Sequence, residues 1–421
     1  MAISNIISAI GNNSSVYPLI LRDCGIEVPT KIALTYNQNK KESKGIAYLA
    51  ARERFLDEYA TSAVWLGGIP LMGWLCNKYI KAKGLNPDVN LKLFNEEKGI
   101  QGINYNIEKF RKIAPDAVKD LIKAKENKKL YEKLLAGKFI ASTTIPILFM
   151  GFILPKLIFA SSAKKIEKLR EKEAANKQQI SLTQKDKFFK SEKPTFTGSW
   201  LTKAANFTTQ DKMAVTDGGY AVGRVSTARN KNEALDLGFK MTGMMFLNFV
   251  APKWIEKGLN YLTGVELDPI ILADKDFAEQ IKDKSLTLPK SDNAKDLLEF
   301  VDDIRNKDSL FIKYAKKFEK IKMLDNGIRD PREYVNIKAL AKFRNDIENF
   351  TKRAISQENL KVFIFANKVA KSINILTNVA LSSFLLAYVL PKAQFAFRKV
   401  VTGSDLEPGL APAEKIVDNK V

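Results

Sequence analysis

Histidine is absent from this chain and cysteine is scarce. Without histidine, the commonest general base near neutral pH, the commonest metal ligand and every Ser-His or Cys-His nucleophile pair are excluded. The two cysteines, Cys24 and Cys76, are too far apart in sequence to indicate a zinc cluster or a disulfide framework, and they fit a reduced compartment. Carboxylates and lysines are plentiful, but no spacing singles any of them out. We therefore predict no catalytic residue, metal site or cofactor.

Negative charge is also in deficit. The 421 residues include 68 lysines and arginines against 47 acids, which gives a formal net charge of +21. A basic excess of this size favours anionic partners, either nucleic acid or acidic lipid surfaces. The alternative is that lysine-rich helices simply present solvated faces. Aromatic residues do not alternate with basic clusters as they do in single-strand binders, so lipid is the favoured partner and nucleic acid is not excluded.

Four apolar segments carry no charge, and they dominate the interpretation. Their limits are Tyr59–Asn77, Phe139–Pro155, Met241–Pro252 and Ser372–Pro391. A helix that crosses a bilayer needs about 20 apolar residues, which the third segment reaches only if it begins near Ala234. The alternative is a set of buried helices in a soluble all-α protein. We predict an all-α membrane protein with up to four hydrophobic helices and helical inserts outside the membrane.

Three of the segments end on a Pro-Lys pair. Proline bends or ends a helix, and the lysine after it can extend its ammonium towards water or lipid phosphate. A short basic amphipathic stretch follows each pair, as expected of a chain that leaves the bilayer and turns along its surface. The predicted membrane-exit elbows are Pro155–Lys156, Pro252–Lys253 and Pro391–Lys392.

The first segment has its proline in the middle instead. Pro70 follows Gly67 and Gly68, so we predict a kinked or broken helix there. A helix broken at mid-membrane depth is a feature of some transporters.

The spacing of the elbows indicates an internal duplication. "FILPKLIFA" matches "YVLPKAQFA" 236 residues later, and the first and third segments match more loosely. We predict a first helix-pair unit over 1–163 with an insert at 78–138. A basic helix and linker over 164–216 then leads to a second unit over 217–421 with a larger insert at 253–371.

Both inserts carry signals for helix starts. Pro115 begins one predicted helix, and "DPRE" begins another with Asp330 as its cap. The stripe of Leu340, Phe343 and Ile347 predicts the core of a small helical domain. At the N-terminus, isoleucines from Ile3 to Ile10 follow a helical period and predict a short amphipathic helix.

The stretch "VTDGGYAVGRVSTARN" holds the remaining candidate site. Asp217, Gly218 and Gly219 predict a turn, and Arg224 and Arg229 beyond it are candidates to contact a phosphate or lipid headgroup. The alternative is a structured turn that anchors an interface arginine.

We predict an integral or deeply inserted membrane protein with a structural, scaffold or partner-binding role, in a bacterial-type inner membrane. Its expected partners are anionic lipid headgroups and a protein, which is either a different chain or a second copy. The alternatives are a small transporter or channel of two parallel repeats, and a basic soluble helical protein that binds nucleic acid or anionic lipid. Equal numbers of basic residues flank the two sides, so no orientation is predicted.

Overall fold

The protein is all-α throughout the part of the chain that the structure describes. The computed structural model describes residues 2–11, 20–41, 43–95, 99–174 and 209–410. Within these ranges it contains no strand beyond one isolated bridge between Met323 and Arg329. The predicted all-α class is confirmed.

Helices of the first half include three π-helical turns, in which the backbone bonds to the fifth preceding residue. In chain order they are α1 (Ala2–Gly11), π1 (Ile20–Glu27), α2 (Val28–Asn39), α3 (Lys44–Ala63), π2 (Val64–Gly68), α4 (Ile69–Ala82), α5 (Lys92–Asn95), α6 (Ile103–Phe110), α7 (Pro115–Glu126), α8 (Lys128–Leu148), π3 (Phe149–Ile153) and α9 (Leu154–Ala174).

Helices of the second half follow the same plan with a longer insert. They are α10 (Thr209–Ser226), α11 (Lys231–Phe249), α12 (Ala251–Thr263), α13 (Pro269–Leu272), α14 (Lys275–Lys282), α15 (Ala294–Asp302), α16 (Leu310–Lys317), α17 (Ile337–Ile355), α18 (Leu360–Phe384), π4 (Leu385–Val389) and α19 (Leu390–Thr402).

Four long helical rods form a bundle. Rod 1 is α3–π2–α4, rod 2 is α8–π3–α9, rod 3 is α11–α12 and rod 4 is α18–π4–α19. Rods 1 and 2 pack antiparallel, α4 on α8 and α3 on α9, and rods 3 and 4 do the same, α12 on α18 and α11 on α19. Helix α10 packs on both α8 and α11 and so joins the two hairpins.

The two inserts form one lobe at the end of the bundle where rods 1 and 3 finish, and we call this lobe the head (83–127 and 264–359). Each insert has its own apolar core, around residues such as Phe110 and Leu121 in the first and Phe311 and Phe350 in the second. Polar contacts join the two, including an ion pair of 2.8 Å between Arg332 and Asp120.

The rods reach further than the predicted inserts allow. Rod 1 runs to Ala82 and rod 2 starts at Lys128, so the first insert is shorter than the predicted 78–138. Rod 3 runs to Thr263 and rod 4 starts at Leu360, which likewise shortens the predicted 253–371. The predicted limits of the inserts were set at the ends of the uncharged runs. Each rod stays helical beyond those ends because it packs against its neighbouring rod. Most of the predicted linker, 175–208, lies outside the described residues.

Two described helices are long and apolar enough to cross a membrane, Lys128–Lys168 in rod 2 and Leu360–Thr402 in rod 4. They contain the second and fourth apolar segments. Only 39% and 33% of their most apolar stretches are buried, so both present apolar surface outwards. Rods 1 and 3 are not long and apolar enough by the same measure, so the presence of four membrane-spanning helices stays a prediction.

Two helix starts in the inserts have opposite outcomes. Helix α7 begins at Pro115, as predicted. The helix predicted from Asp330 instead begins at Ile337, because the Asp330 carboxylate accepts hydrogen bonds from the Arg332 backbone and guanidinium in a turn. Asn336 caps α17 in its place.

Candidate functional site

The prolines of the predicted elbows do not end rods 2 and 4. Pro155 and Pro391 each lie two residues after a π-helical turn, and the helix continues through both. The predicted elbows at Pro155 and Pro391 are therefore not helix ends, and an exit from a membrane there stays a prediction. The wider π turn brings the N–H of Leu154 to the carbonyl of Phe149, so the backbone is already out of α register before the proline ring arrives.

A side chain just beyond α10 reaches the π turn before Pro155. The Thr227 hydroxyl lies 3.2 Å from the Gly151 carbonyl oxygen and 3.0 Å from the Gly223 carbonyl oxygen, and it can donate to either. Thr227 is buried just beyond α10, so this contact ties α10 to rod 2.

The third elbow is a true helix junction. Helix α11 ends at Phe249 and α12 begins at Ala251, with Pro252 in its first turn. The lysine after each elbow proline (Lys156, Lys253 and Lys392) is exposed, whereas each proline is buried. Whether these positions lie at a membrane surface stays a prediction.

At the predicted break in rod 1 the structure has a π turn, π2. Gly67 and Gly68 lie within π2, Pro70 follows two residues later, and the rod remains helical on both sides. Rod 1 is therefore not interrupted, and its irregularity repeats the pattern of rods 2 and 4. The π turns of rods 2 and 4 are 236 residues apart, which favours the predicted duplication without establishing it.

Arg224 and Arg229, the candidate headgroup contacts, are paired with carboxylates of the protein. Asp217 and the two glycines after it lie inside α10, so the turn predicted there is wrong. Arg224 is buried and its guanidinium bonds to Asp57 at 2.9 Å. Arg229 pairs with Glu53 at 3.0 Å and with Glu233 at 2.8 Å. These pairs favour the alternative of arginines anchored between helices, and a headgroup contact stays a prediction.

These arginines belong to a buried charge cluster at the base of the bundle, the end away from the head. Arg398 is fully buried and holds Asp236 through two nitrogens, at 2.9 and 3.1 Å. Gln394 donates to the same carboxylate at 2.7 Å. Asp57 and Asp236 thus each bind a buried arginine.

A second part of the cluster lies where α2, α3 and α11 meet. Lys240 pairs with Glu58 at 2.8 Å, and Lys31 pairs with Glu27 and approaches Glu58 to 3.8 Å. Burial by itself would lower the pKa of Lys31, but the two carboxylates outweigh it and raise the pKa above its usual value. The ammonium therefore stays charged in the folded protein.

A return segment closes the base after rod 4. The backbone N–H of Glu407 donates to Asn39 at 2.7 Å, and its carboxylate lies 3.3 Å from Arg398. Burial would raise the pKa of Glu407, but Arg398 and Arg54 overcome this and hold the pKa below its ordinary value. The ion pairs hold the helices together at the base and leave few charged side chains there to act on a ligand.

Between the base and the head, the helices line a partly open cavity of about 740 Å³. Its base end is bounded by Glu27 and Glu58, and its head end by Asn260 and Lys371. The polar residues between these ends include Thr61, Ser62, Asp217, Asn248, Asn374, Asn378, Ser382 and Ser383, and apolar side chains such as Leu66, Met244 and Ile375 make up much of the remaining lining. The cavity thus holds a row of polar groups inside helices whose outer surface is apolar.

Rod 4 supplies one wall through a stripe of polar side chains. Asn374, Asn378 and Ser382 recur every fourth residue along α18 and all line the cavity, over roughly 18 Å from Lys371 to Ser383. The sequence carried this signal, since the stripe lies within an otherwise apolar segment. The charge cluster gives no comparable signal in the sequence, because its ion pairs join residues far apart in the chain and no local pattern marks them.

Among the described residues, three polar atoms of the cavity lining have no protein partner. The Thr61 and Ser383 hydroxyl oxygens and the Asn248 side-chain carbonyl oxygen are buried without a hydrogen bond. Ser383 is only 5% exposed. Buried polar atoms are normally satisfied, so these three call for water or a ligand in the cavity.

Comparison with known proteins adds no assignment. The chain matches no family model, and no curated protein or solved structure shows significant similarity to it. Among the described residues, no group of three or more histidine, cysteine or acidic side chains could hold a metal ion. Function must be argued from the cavity itself.

Proposed function

We propose that this protein is a membrane-embedded helical bundle that binds a small polar solute in its central cavity and passes it across the bilayer. The observation that carries the proposal is the set of polar groups that line the cavity inside an apolar shell. Polar groups at membrane depth are unfavourable unless they face a pathway or a partner. This revises the scaffold role favoured by the sequence towards the transporter or channel alternative.

The two faces of α18 support a bilayer around the rods. Asn374, Ser382 and Ser383 point inwards and are buried, whereas Ile373 and Phe384 on the other face are 57% and 52% exposed. A soluble helix shows the opposite arrangement. Lipid as the outer solvent accounts for this inversion, since it stabilises exposed apolar side chains and not polar ones.

Ionisable groups of the cavity lining answer an objection to a transport role. The apolar segments carry almost no ionisable residue, whereas pathways for ions and protons usually need some. Glu27 and Asp217 enter the lining from elements outside those segments, and Lys371 stands at the edge of the fourth. The bundle therefore combines uncharged spans with a charged pathway.

Neighbouring cysteines on α18 test the proposal. In a background with Cys24→Ala and Cys76→Ala, Ser383→Cys and Phe384→Cys are introduced singly and treated in native membranes with iodoacetamide, which is small, neutral and water-soluble. A water-filled cavity within a bilayer predicts fast modification of Ser383→Cys and slow modification of Phe384→Cys. The reverse order indicates a soluble fold and would reject the proposal.

Transport itself needs a separate measurement. Purified protein in proteoliposomes should pass small polar solutes that empty liposomes retain. The matched control is Ser383→Leu, which fills the cavity wall with an apolar side chain and should block the flux while the protein remains inserted. Absence of flux for all classes of solute would remove transport and leave binding.

A scaffold role is the second candidate, and one observation favours it. Helix α12 exposes Trp254, Tyr261 and Leu262, at 66%, 87% and 79%. Aromatic and aliphatic side chains this exposed suit a protein partner or the membrane interface. Site-specific cross-linking from Tyr261 would separate the two, because only a partner gives a protein adduct. The bacterial-type inner membrane stays a prediction.

A further inference from the structure

We infer that the cavity takes an organic cation, an amine or a quaternary ammonium, which the Asp217 carboxylate holds beside the indole of Trp65. This inference rests on the proposed function and names the chemical class of its solute. Four features of the cavity lining carry it: a carboxylate without a cation, an aromatic wall, unused acceptors and enough volume.

Among the described residues that line the cavity, Asp217 is the carboxylate that forms no ion pair. Its neighbours in the lining are already neutralised: Asp23 bonds to Arg22 at 2.9 Å, and Glu58 bonds to Lys240 at 2.8 Å. A buried carboxylate is strongly unfavourable unless a cation or several donors accompany it. A solute cation would supply what the described protein groups do not.

The wall beside Asp217 is aromatic. Trp65 of π2 and Tyr220 of α10 both line the cavity, and they pack in one cluster with Met244 of α11. The Trp65 side chain lies within hydrogen-bonding reach of the Asp217 carboxylate, which places the indole next to the charge. Aromatic faces attract ammonium groups, and tryptophan does so most strongly.

The unpartnered atoms favour a solute that donates. The free atom of Asn248 is a carbonyl oxygen, which only accepts, and the Ser383 hydroxyl can also accept. Protonated amines carry N–H donors and no acceptor, and choline can donate through its hydroxyl, whereas carboxylates and phosphates carry acceptors alone. An anion would leave Asn248 unpaired and would meet Asp217 with the same sign of charge.

The volume suits a small organic molecule. The cavity of about 740 Å³ lies inside the range of roughly 300–1,000 Å³ typical of small-molecule sites. A metal ion would leave most of this space to water. Lys253, Lys320 and Lys371 line the head end, and the fourth basic side chain of the lining, Arg22, is bonded to Asp23, so the cation is expected beside Asp217.

Protection of the cavity cysteine provides the test. Choline, its neutral carbon isostere dimethylbutanol and the anion pivalate are added while iodoacetamide modifies Ser383→Cys in reconstituted protein. Choline should slow the modification, and the neutral isostere should need at least about tenfold higher concentration to match it. Equal protection by the isostere, or better protection by pivalate, would overturn the inference.

Variants of two of the cavity carboxylates, Asp217 and Glu256, locate the cation. Asp217→Asn should raise the choline concentration needed for half protection by at least about tenfold, while Asp217→Glu should largely retain protection. The matched control is Glu256→Gln, which removes a carboxylate at the head end of the same cavity and should change nothing. Loss of protection in Glu256→Gln but not in Asp217→Asn would place the cation elsewhere and reject the inference.

The two failures can be told apart. Unprotected modification of Ser383→Cys reports that the cavity exists, and it is measured in each variant before any solute is added. If that rate falls to the rate of Phe384→Cys, the proposed function fails. If the rate is high and choline has no effect, the proposed function stands and the organic cation is wrong.

Discussion

Helices α17 and α18 follow one another in the chain and bury opposite kinds of side chain. In α17, which belongs to the head, Leu340, Phe343, Ile347 and Phe350 are buried and the exposed face carries lysines. In α18, part of rod 4, polar residues face inwards and the exposed face carries aliphatic and aromatic residues. Only a short loop separates the two helices.

The difference is what the proposed bilayer around the rods requires, since one chain would then be fitted to two solvents. Burial of apolar surface away from water stabilises the head, as in any soluble domain. Around the rods the same side chains lie outside, where that driving force is absent if the surroundings are lipid. Packing of small residues, hydrogen bonds and ion pairs then has to hold the rods together, and the charge cluster and the glycine contacts provide these.

The largest effect expected is loss of a large side chain from the head core. Phe350 is 1% exposed, and its ring lies 5.4 Å from that of Phe363 and 6.1 Å from that of Phe277. Phe350→Ala should destabilise the head by about 3–5 kcal/mol because it removes apolar contacts and leaves a cavity. Thermal unfolding and limited proteolysis of the detergent-solubilised protein measure this loss of stability.

Phe384→Ala on the outer face of rod 4 is the matched control. Phe384 is 52% exposed, so its removal should change stability by less than about 1 kcal/mol. Equal destabilisation by the two variants would mean that Phe384 packs against protein, and the contrast between head and rods would then fail.

Loss of a buried charge should rank next and act on the rods. Arg398→Met leaves the Asp236 carboxylate buried with Gln394 alone, which should destabilise the bundle by roughly 3 kcal/mol. Adding Asp236→Asn should recover much of this, because it removes the uncompensated charge. The neighbouring Lys399→Met serves as control, since that lysine is exposed and its ion pair with Asp405 is long, at 3.6 Å.

The experiment distinguishes pairing from packing. If the double variant is no more stable than Arg398→Met, the arginine acts mainly through its bulk and the charge cluster is not what holds the base together. Unfolding of the two single variants and the double variant in the same detergent decides between these results.

A smaller effect is expected where α10 touches rod 2 through glycine. An added Cβ on Gly223 would lie 2.7 Å from the Cα of Gly151, so α10 and π3 would have to separate. Gly223→Ala should destabilise by about 1–3 kcal/mol, measured by thermal unfolding. Gly238→Ala in α11 has open space around it and should stabilise by about 0.5–1 kcal/mol, the ordinary gain in a helix. Destabilisation by both would show that helical glycines matter here for another reason.

The head follows the rules of soluble helices, and so the sequence predicted much of it. The stripe from Leu340 to Phe350 is buried and Pro115 starts a helix, because local periodicity and local capping decide these features. The failure at Asp330 was also local: its carboxylate satisfies a turn at Arg332 before a helix can use it.

The bundle was harder to predict for a physical reason. Glu53, Asp57 and Glu58 resemble the surface charges of any helix, and their burial depends on partners such as Arg224 and Lys240, more than 160 positions away. Hydrophobicity found the two apolar rods but could not indicate which face turns inwards. The inward stripe of asparagine and serine on α18 was readable and would have favoured a cavity over a scaffold.

The smallest effect concerns the prolines, which the head and the rods use differently. In the head, Pro269 starts a helix behind an Asp268 cap, as in soluble proteins. In rod 4, Pro391 lies inside a continuous helix, two residues after π4. We expect Pro391→Ala to change stability by less than about 1 kcal/mol, because the π turn already accommodates the missing N–H, whereas Val379→Pro without such a turn should destabilise by about 3 kcal/mol or more. Thermal unfolding in detergent compares the two. A large loss on Pro391→Ala would show that the proline itself fixes the π turn, and the rods would then depend on their prolines as the head depends on its caps.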